Sequence, residues 1–204
     1  MDKPRLLVIA TRNRGKLSEI KKMLQLEGWE IVDLNNFPDI GDIPEEGASF
    51  EENAILKART VAELTGLPVM ADDSGLEVEA LDDRPGVHSA RFAGEGATDD
   101  DNNRKLLEMM NGVSAAKRGA RFVCVMAFIS PGGEERVVRG KCEGVILDEH
   151  RGEGGFGYDP LFYHRPSGKT FSEMTPDEKN SVSHRSRALL KLRNILPRLL
   201  EEGS

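Results

Sequence analysis

Short apolar runs alternate with helical periodicity in the first third of the chain. Residues 6–10 (LLVIA) are continuously apolar, which is typical of a strand covered on both faces. Residues 16–26 carry apolar side chains every three to four positions, which predicts an amphipathic helix. A short second strand is predicted at 30–33, and a loop rich in glycine, proline and acidic residues follows at 35–48.

A second helix is predicted to begin at Ser49. Ser49 and Glu52 have the spacing of a capping box, and Gly66 and Pro68 end the helix. Short strands are then predicted at 69–71 and 76–80. The acidic segment 72–75 (DDSG) is predicted as the turn between them.

The second half predicts a helix, a hairpin and a glycine-rich loop. Thr98 caps a helix that runs to about residue 110. Residues 120–130 and 135–147 are predicted as two strands joined by a Pro-Gly-Gly turn. Residues 152–159 form the glycine-rich loop.

The C-terminal part is predicted to be helical. Thr175 begins one helix, and residues 183–200 form a longer amphipathic stretch that Pro197 should kink or interrupt. The apolar side of that stretch consists of Leu189, Leu192, Ile195, Leu196 and Leu199.

Strands that alternate with helices, together with one long hairpin, predict an α/β fold with a mixed sheet. We predict a single domain over residues 1–204. Ligands of such folds bind in loops at the carboxyl ends of strands. Three predicted loops qualify, at 11–16, 72–75 and 152–159.

The charge and the cysteines exclude several classes of protein. A net charge of −7 argues against a nucleic-acid partner, because a polynucleotide backbone requires a basic face. An acidic protein can still bind a small polyphosphate if it gathers local cations and a metal ion. Two cysteines make no disulfide framework, and the apolar run at 6–10 is too short for a signal sequence or a membrane span. We therefore expect a cytoplasmic protein that binds neither nucleic acid nor membranes.

The loop between the first strand and the first helix is a candidate anion site. Backbone N–H groups at a helix N-terminus attract anions, and a lysine adds a point charge. The loop consists of Thr11, Arg12, Asn13, Arg14, Gly15 and Lys16. It lacks the spacing of a P-loop, and an ordinary helix cap followed by a surface lysine would give the same pattern.

Asp72 and Asp73 are candidate metal ligands. Adjacent residues of an extended chain point in opposite directions, so one carboxylate is expected to reach a metal and the other to hold the local structure. Mg²⁺ takes few protein carboxylates together with waters and phosphate oxygens, so Glu45 or Glu46 would suffice as the second ligand. An Asx-turn with solvated acids is the competing interpretation.

The remaining candidates are a lysine, an aromatic loop and a basic cluster. Lys57 follows the acidic loop, although a solvated lysine is the simpler interpretation. Phe156 is suited to stacking on a base, and glycines such as Gly157 let the backbone approach a ligand closely. Asp159 is suited to accepting from a ring N–H, unless the segment is a flexible turn with one core-anchoring phenylalanine. Lys179, His184 and Arg185 precede the last amphipathic stretch, and His184 and Arg185 supply donors for an oxo group on a purine, unless these two form a surface pair.

These motifs resemble those of the inosine/xanthosine triphosphate pyrophosphatases, which hydrolyse non-standard purine nucleotides. The resemblance covers almost the whole chain. Its ordered blocks are ATRNRGK at 10–16, FEENA at 50–54 with Lys57-Ala58, ADDSGL at 71–76, PGV at 85–87, SARF at 89–92, GGFGYDP at 154–160, Glu178-Lys179, and Ser183-His184-Arg185.

The resemblance implies Mg²⁺-dependent hydrolysis of ITP, dITP and XTP to the monophosphate and pyrophosphate. It implies a homodimer of elongated α/β subunits, each with a mixed twisted sheet, flanking helices and two lobes around a central cleft. Asp73 would be the catalytic acid/base and a Mg²⁺ ligand, with Glu45 as second ligand unless Glu46 takes that role. Nucleotide contacts would come from the 11–16 loop and from Lys57, Ser74, Phe156, Gly157, Tyr158, Asp159, Lys179, His184 and Arg185.

Two other functions remain open. A related pyrophosphatase acting on pyrimidine nucleotides would share the phosphate machinery, but the donors at His184 and Arg185 suit a 6-oxo purine. A non-catalytic sensor of unusual nucleotides would have no need of the water-activating carboxylate of Asp73.

Overall fold

The computed structural model describes residues 5–202 and contains a mixed sheet flanked by helices. The strands are β1 (Arg5–Ile9), β2 (Trp29–Asp33), β3 (Val69–Val78), β4 (Arg84–Pro85), β5 (Gly119–Ile129), β6 (Glu135–Ile146), β7 (Phe162–His164) and β8 (Lys169–Thr170). The helices are α1 (Arg14–Met23), α2 (Phe50–Thr65), α3 (Asp99–Met109), α4 (Pro176–Val182), α5 (His184–Arg193) and α6 (Leu196–Glu202).

The sheet is mixed, as predicted. Its strand order is β2-β1-β3-β5-β6-β7-β8, with β4 paired to β3. β1 runs parallel to both β2 and β3, whereas the β3–β4, β6–β7 and β7–β8 pairs are antiparallel. The strands β4, β7 and β8 were not predicted, because two or three residues are too few to reveal an alternation of apolar and polar positions.

The chain divides into two compact units. Among the described residues, unit 1 comprises 5–73, 124–140 and 185–202, and unit 2 comprises 74–123 and 141–184. The boundaries fall inside β3, β5 and β6 and after the first residue of α5. The single domain, the elongated outline and the central cleft stay predictions, and the first four and last two residues of the predicted domain lie outside the described residues.

Each unit has its own apolar core. The core of unit 1 combines side chains of β1, α1, β5, α5 and α6, and includes Leu7, Ile20, Phe128, Leu189 and Leu196. The core of unit 2 combines side chains of β3, α3, β5 and β6 with aromatic residues of later segments, and includes Leu76, Leu106, Phe122, Phe162 and Phe171. No helix within residues 5–202 is long and apolar enough to cross a membrane.

The acidic segment 72–75 corrects the sequence prediction. It is not a turn between two short strands but lies inside one continuous strand, β3. Both aspartates are buried, and cationic side chains of unit 1 lie against their carboxylates. Because those cations replace water as partners, the carboxylates do not force the chain into an exposed turn.

The C-terminal stretch is interrupted as predicted, but the break lies before Pro197. α5 ends at Arg193 and α6 begins at Leu196. Proline has no N–H to donate to the carbonyl four residues earlier, so α5 does not continue through it, and Pro197 lies instead in the first turn of α6, where that N–H is not needed. Ile195 consequently lies in the break and is 37% exposed, so its predicted place on the apolar side is wrong, whereas the four leucines predicted with it are buried.

Ser49 caps α2, but the capping box is offset by one residue. The Ser49 hydroxyl accepts from the backbone N of Glu52 at 3.1 Å. The Glu52 carboxylate accepts from the N of Ala48 at 2.7 Å instead of that of Ser49. Two backbone donors at the start of α2 are nevertheless satisfied, so this helix end is well defined.

The Ser49→Ala variant should lower the free energy of unfolding by about 1 kcal/mol, because one helix N–H loses its acceptor. Urea denaturation followed by circular dichroism measures the change. Ser114→Ala is the matched control, since Ser114 precedes a short helical turn without making a side-chain cap bond. If Ser49→Ala and Ser114→Ala changed the free energy of unfolding equally, the Ser49 cap would contribute nothing to stability.

Candidate active site

The loop between β1 and α1 is organised by two side-chain caps. Thr11 Oγ1 accepts from the N of Asn13 at 3.1 Å, and Asn13 Oδ1 accepts from the N of Lys16 at 3.0 Å. Asn13 is therefore the N-cap of α1. The Lys16 ammonium lies 3.2 Å from Asp72 Oδ2, so it is paired inside unit 1 and is not a plain surface lysine.

The other residues of this loop do not all converge on Lys16. The Arg12 guanidinium donates to the carbonyl oxygens of Ile40 and Gly41, which ties it to the 40–42 segment. Arg14 is exposed at the first position of α1, followed by the half-buried Gly15. Their role in phosphate binding stays a prediction.

Lys57 is the centre of the carboxylate cluster. It is 6% exposed, so the interpretation as a solvated lysine is wrong. Its ammonium donates to the Asp72 carbonyl at 2.7 Å and contacts Glu45 Oε1 at 3.0 Å and Asp73 Oδ1 at 3.1 Å. Three acceptors match the three N–H donors of an ammonium, so the position of the charge is closely defined.

Asn53 is a site residue that the sequence analysis did not single out. Its side chain is fully buried one helical turn before Lys57. Nδ2 donates to Asp73 Oδ2 at 3.2 Å, while Oδ1 accepts from the N of Gly47 at 2.8 Å. An asparagine one turn before Lys57 and next to the apolar residues of α2 was the available signal, because a buried amide needs polar partners.

Arg185 is buried in unit 1 and does not form the surface pair considered above. It is 2% exposed, and its Nε and Nη2 lie 3.4 and 3.2 Å from Asp72 Oδ2. Its Nη1 donates to Glu19 Oε2 at 2.5 Å. Glu19 was not anticipated, although it lies one turn after Lys16 on α1. The contact of Arg185 with a purine edge stays a prediction.

The two aspartates contact different partners. Asp72 Oδ2 lies against Lys16 and Arg185, whereas the Asp73 carboxylate lies against Lys57 and Asn53. This division follows from their positions as neighbours on an extended strand, whose successive side chains point to opposite faces. That one of the two reaches a metal while the other holds the local structure stays a prediction.

The electrostatics of this cluster favour proton uptake by Asp73. Burial raises the pKa of Asp73, although the Lys57 and Lys16 charges oppose the shift. Burial acts against the Lys57 ammonium, but the charges of Asp73, Glu45 and Asp72 outweigh it and hold the pKa of Lys57 above its ordinary value. Lys57 thus stays charged beside a carboxylate that is more basic than an exposed aspartate.

The donor set fits a divalent cation shared with a ligand. In unit 1 the three cations Lys16, Lys57 and Arg185 face the four carboxylates of Glu19, Glu45, Asp72 and Asp73, so acidic groups are in excess. Within residues 5–202, no three His, Cys, Asp or Glu side chains gather tightly enough to hold a metal by themselves. Such a set suits Mg²⁺, which completes its coordination with phosphate oxygens and water.

Glu45 and Glu46 differ in their surroundings. Glu45 contacts the ammonium that also contacts Asp73, whereas the Glu46 side chain is exposed. This arrangement favours Glu45 where the sequence left both open.

The glycine-rich loop of unit 2 is built around Asp159. Asp159 Oδ2 accepts from the N of Phe156 at 2.9 Å and from the Lys179 ammonium at 2.6 Å. The same ammonium lies 4.5 Å from the centre of the Phe156 ring. Gly155, with φ +77°, leaves room for this carboxylate, because a Cβ there would lie 2.2 Å from Asp159 Oδ2. Phe156, Asp159 and Lys179 are therefore brought together, as the sequence predicted.

His184 and Tyr158 lie deeper in unit 2. The His184 imidazole stacks on Phe122 with ring centres 4.7 Å apart and planes 12° apart, which excludes an exposed surface position. Tyr158 is buried and donates from its hydroxyl to the Ser89 carbonyl at 2.8 Å. Ser74 is half-buried in β3. The nucleotide contacts assigned to these three residues stay predictions.

Known proteins are similar to this chain in sequence. The sequence model of the Ham1 family matches residues 7–195. The dITP/XTP pyrophosphatase of Syntrophobacter fumaroxidans is 53% identical over 196 residues, which are 96% of this chain and 84% of that protein. The dITP/XTP pyrophosphatase of Desulforamulus reducens is 51% identical over 193 residues, covering 95% and 96% of the two chains.

Solved structures share the fold. A HAM1 protein from Coxiella burnetii superposes with a TM-score of 0.86 at 42% identity, over 95% of this chain and 99% of that one. A nucleoside-triphosphatase, also called dITP/XTP pyrophosphatase, from Mycobacterium abscessus has a TM-score of 0.75 at 45% identity, over 92% and 98% of the two chains.

Proposed function

This chain belongs to the Ham1 family, and we propose that it hydrolyses the non-standard purine nucleotides ITP, dITP and XTP to the monophosphate and pyrophosphate. The observation that carries the proposal is the buried cluster of Lys57, Asp73, Glu45 and Asn53 in unit 1. An acidic protein that buries a lysine among carboxylates has the local charges that a metal-bound polyphosphate requires.

Unit 1 supplies the groups for the phosphates. The Lys16 ammonium, the N–H groups at the start of α1 and the Lys57 ammonium provide positive charge. Without substrate, these lysines are neutralised by Asp72, Asp73 and Glu45, which keeps the buried charges paired.

Asp73 and Glu45 are the residues that would hold Mg²⁺. Both carboxylates lie against the same ammonium, so both face one region of unit 1. The chemistry that Mg²⁺ supplies when bound is neutralisation of the charge on the phosphate oxygens and the leaving pyrophosphate.

The reaction is attack of water on the α-phosphorus. The water oxygen forms a bond to that phosphorus, the bond between the α-phosphorus and the oxygen of the pyrophosphate breaks, and one water proton passes to Asp73. The raised pKa of Asp73 suits it to accept this proton. Asn53 and Lys57 orient its two oxygens, which leaves the attacking water a defined acceptor.

Unit 2 supplies the groups for the base. Phe156 offers a ring for stacking, and Asp159 and Lys179 lie beside it. ITP and XTP carry a 6-oxo acceptor where ATP carries an amino donor, so the donors of Lys179 and His184 favour the oxo purines. When the wrong base leaves polar groups of a site unpaired, kcat/KM for that substrate is lower by a factor of about 10⁴–10⁵.

The test is pyrophosphate release from ITP, dITP, XTP, GTP, ATP, dTTP and UTP at neutral pH, with and without EDTA. Release from ITP, dITP and XTP that EDTA abolishes supports the proposal. Faster release from dTTP or UTP would identify a pyrimidine enzyme, and tight binding of ITP without release would identify a sensor.

The two acidic neighbours should differ in their effect on the metal. Glu45→Gln is expected to raise the Mg²⁺ concentration for half-maximal rate about tenfold, because a charged ligand is replaced by a neutral one. The matched control is Glu46→Gln, which removes the same charge one residue away and should leave the Mg²⁺ dependence unchanged. Calorimetric titration with Mg²⁺ in the presence of pyrophosphate gives a second readout; the reverse ranking of the two variants would assign the ligand to Glu46.

We also propose that the enzyme works as a homodimer in the cytoplasm. Leu64 and Leu190 are exposed, and apolar side chains of this size are suited to a subunit contact. Light scattering after size-exclusion chromatography measures the assembly, and a mass of 22.5 kDa in solution would identify a monomer.

A further inference from the structure

Two side chains of α3 hold one residue of the glycine-rich loop. Asp99 Oδ2 accepts from the N of Gly157 at 2.6 Å. Asn103 Nδ2 donates to the O of Gly157 at 2.8 Å. Asp99 and Asn103 are four residues apart on the helix and so lie on the same face, one turn apart. Both backbone polar groups of Gly157 are therefore bonded to side chains of a single helix.

The loop depends on such contacts for its shape. Gly155 and Gly157 both have positive φ, at +77° and +62°. Because glycine has no side chain, many other backbone conformations are also open to it. Phe156 lies between them, so the direction of its ring follows the conformation of its two neighbours. Asp159 fixes the N-terminal side of Phe156, and Asp99 with Asn103 fixes the C-terminal side.

Asn103 is committed to this contact. Its side chain is 1% exposed, and within residues 5–202 its Oδ1 has no hydrogen-bond partner. A buried amide with one unmade hydrogen bond lowers stability, so the residue is not explained by its contribution to the core. The bond to the Gly157 carbonyl is the contact that its side chain makes.

We propose that Asp99 and Asn103 are positioning residues for base recognition, holding Gly157 so that the Phe156 ring is ordered before the nucleotide binds. The inference rests on the proposed function, in which this ring stacks on the base. A preordered ring binds more tightly because the loop loses less conformational entropy on binding. Binding of the phosphate groups, which is assigned to residues of unit 1, should not depend on this contact.

The experiment is calorimetric titration of the full chain with inosine monophosphate and, separately, with pyrophosphate. Asp99→Ala and Asn103→Ala should each raise the Kd for inosine monophosphate about tenfold, which is the effect of losing one hydrogen bond that orders the loop. Asp99→Asn keeps an acceptor oxygen at the same place, so its Kd for inosine monophosphate should stay within about twofold of the wild-type value. Pyrophosphate affinity should be unchanged in all three.

Asn102→Ala is the matched control. Asn102 is the neighbouring buried asparagine of α3, and its amide bonds Ala90 and Ala93 in place of Gly157. Asn102→Ala should lower the melting temperature as Asn103→Ala does, but it should leave the affinity for inosine monophosphate unchanged. Should Asn103→Ala fail to fold, Asp99→Ala with its Asp99→Asn rescue carries the test, since Asp99 is exposed.

Two results would overturn the inference. One is unchanged affinity for inosine monophosphate in Asp99→Ala and Asn103→Ala; the other is an equal loss for inosine monophosphate and pyrophosphate, which points to general destabilisation. A wild-type chain that neither hydrolyses ITP nor binds inosine monophosphate would instead overturn the proposed function, and this inference with it.

Discussion

Asp73→Asn is expected to lower the turnover of ITP by about 10²- to 10⁴-fold, the usual contribution of a positioned general base. The substitution keeps the size of the side chain and one oxygen for Lys57, but it removes the group that takes the proton from water. It also places an amide N–H₂ toward either Lys57 or the Asn53 amide, both of which already donate to this side chain. Pyrophosphate release under saturating ITP and Mg²⁺ measures the effect.

The loss must be separated from unfolding. Circular dichroism and the melting temperature report whether Asp73→Asn retains the fold, and Asp39→Asn removes an equal charge from an exposed position in the loop after β2. Asp39→Asn should keep the wild-type rate. Turnover of Asp73→Asn within about threefold of wild type, well short of the usual contribution of a general base, would remove Asp73 from the proposed mechanism.

Gly155→Ala should reduce kcat/KM for ITP by about 100-fold, through a displaced Asp159 and a displaced Phe156. The added Cβ would lie 2.2 Å from Asp159 Oδ2 and 2.9 Å from its Cβ, closer than atoms can approach. The backbone at φ +77° adds strain for any residue with a side chain. Since Asp159 also holds Lys179, the substitution disturbs three groups assigned to the base.

Gly168→Ala separates the two causes of this loss. Gly168 has a similar φ of +66°, but a Cβ there would meet its nearest atom, the Tyr163 hydroxyl, at an ordinary 3.8 Å. It should therefore show the cost of the backbone alone, about 1 kcal/mol of stability, with kcat/KM unchanged. If Gly155→Ala kept kcat/KM near the wild-type value, the close packing of the loop against Asp159 would have no part in base binding.

The pairing of cations with carboxylates also explains how a chain with a net charge of −7 gathers the cations of the proposed phosphate site. The three buried or half-buried cations of unit 1 each lie against at least one carboxylate. Local charge therefore differs from the charge of the whole chain. Composition argued against a polynucleotide partner, but it carried no information about this cluster.

Local signals in the sequence were sufficient for the main elements. Ser49, Thr98 and Thr175 were predicted as helix starts, and each side chain accepts a hydrogen bond in the first turn of its helix. The long hairpin of β5 and β6 followed from two apolar runs around Pro-Gly-Gly. Caps, turns and periodicity depend on neighbours within a few residues, so one sequence is enough to read them.

Only the tertiary structure decided which polar side chains are buried and what they contact. Arg185 binds Glu19 and Asp72 across 166 and 113 residues of sequence, and Lys57 binds Asp73 across 16. The same long-range cations allowed the aspartates to remain inside β3, where the local pattern indicated a turn. The sequence by itself determined the main helices and the long hairpin, most residue types of the site and the resemblance to a family, because these are local or ordered along the chain. The partners of Lys57, Asn53 and Arg185 were decided by the fold, because burial and ion pairing depend on segments that approach only when the sheet is assembled.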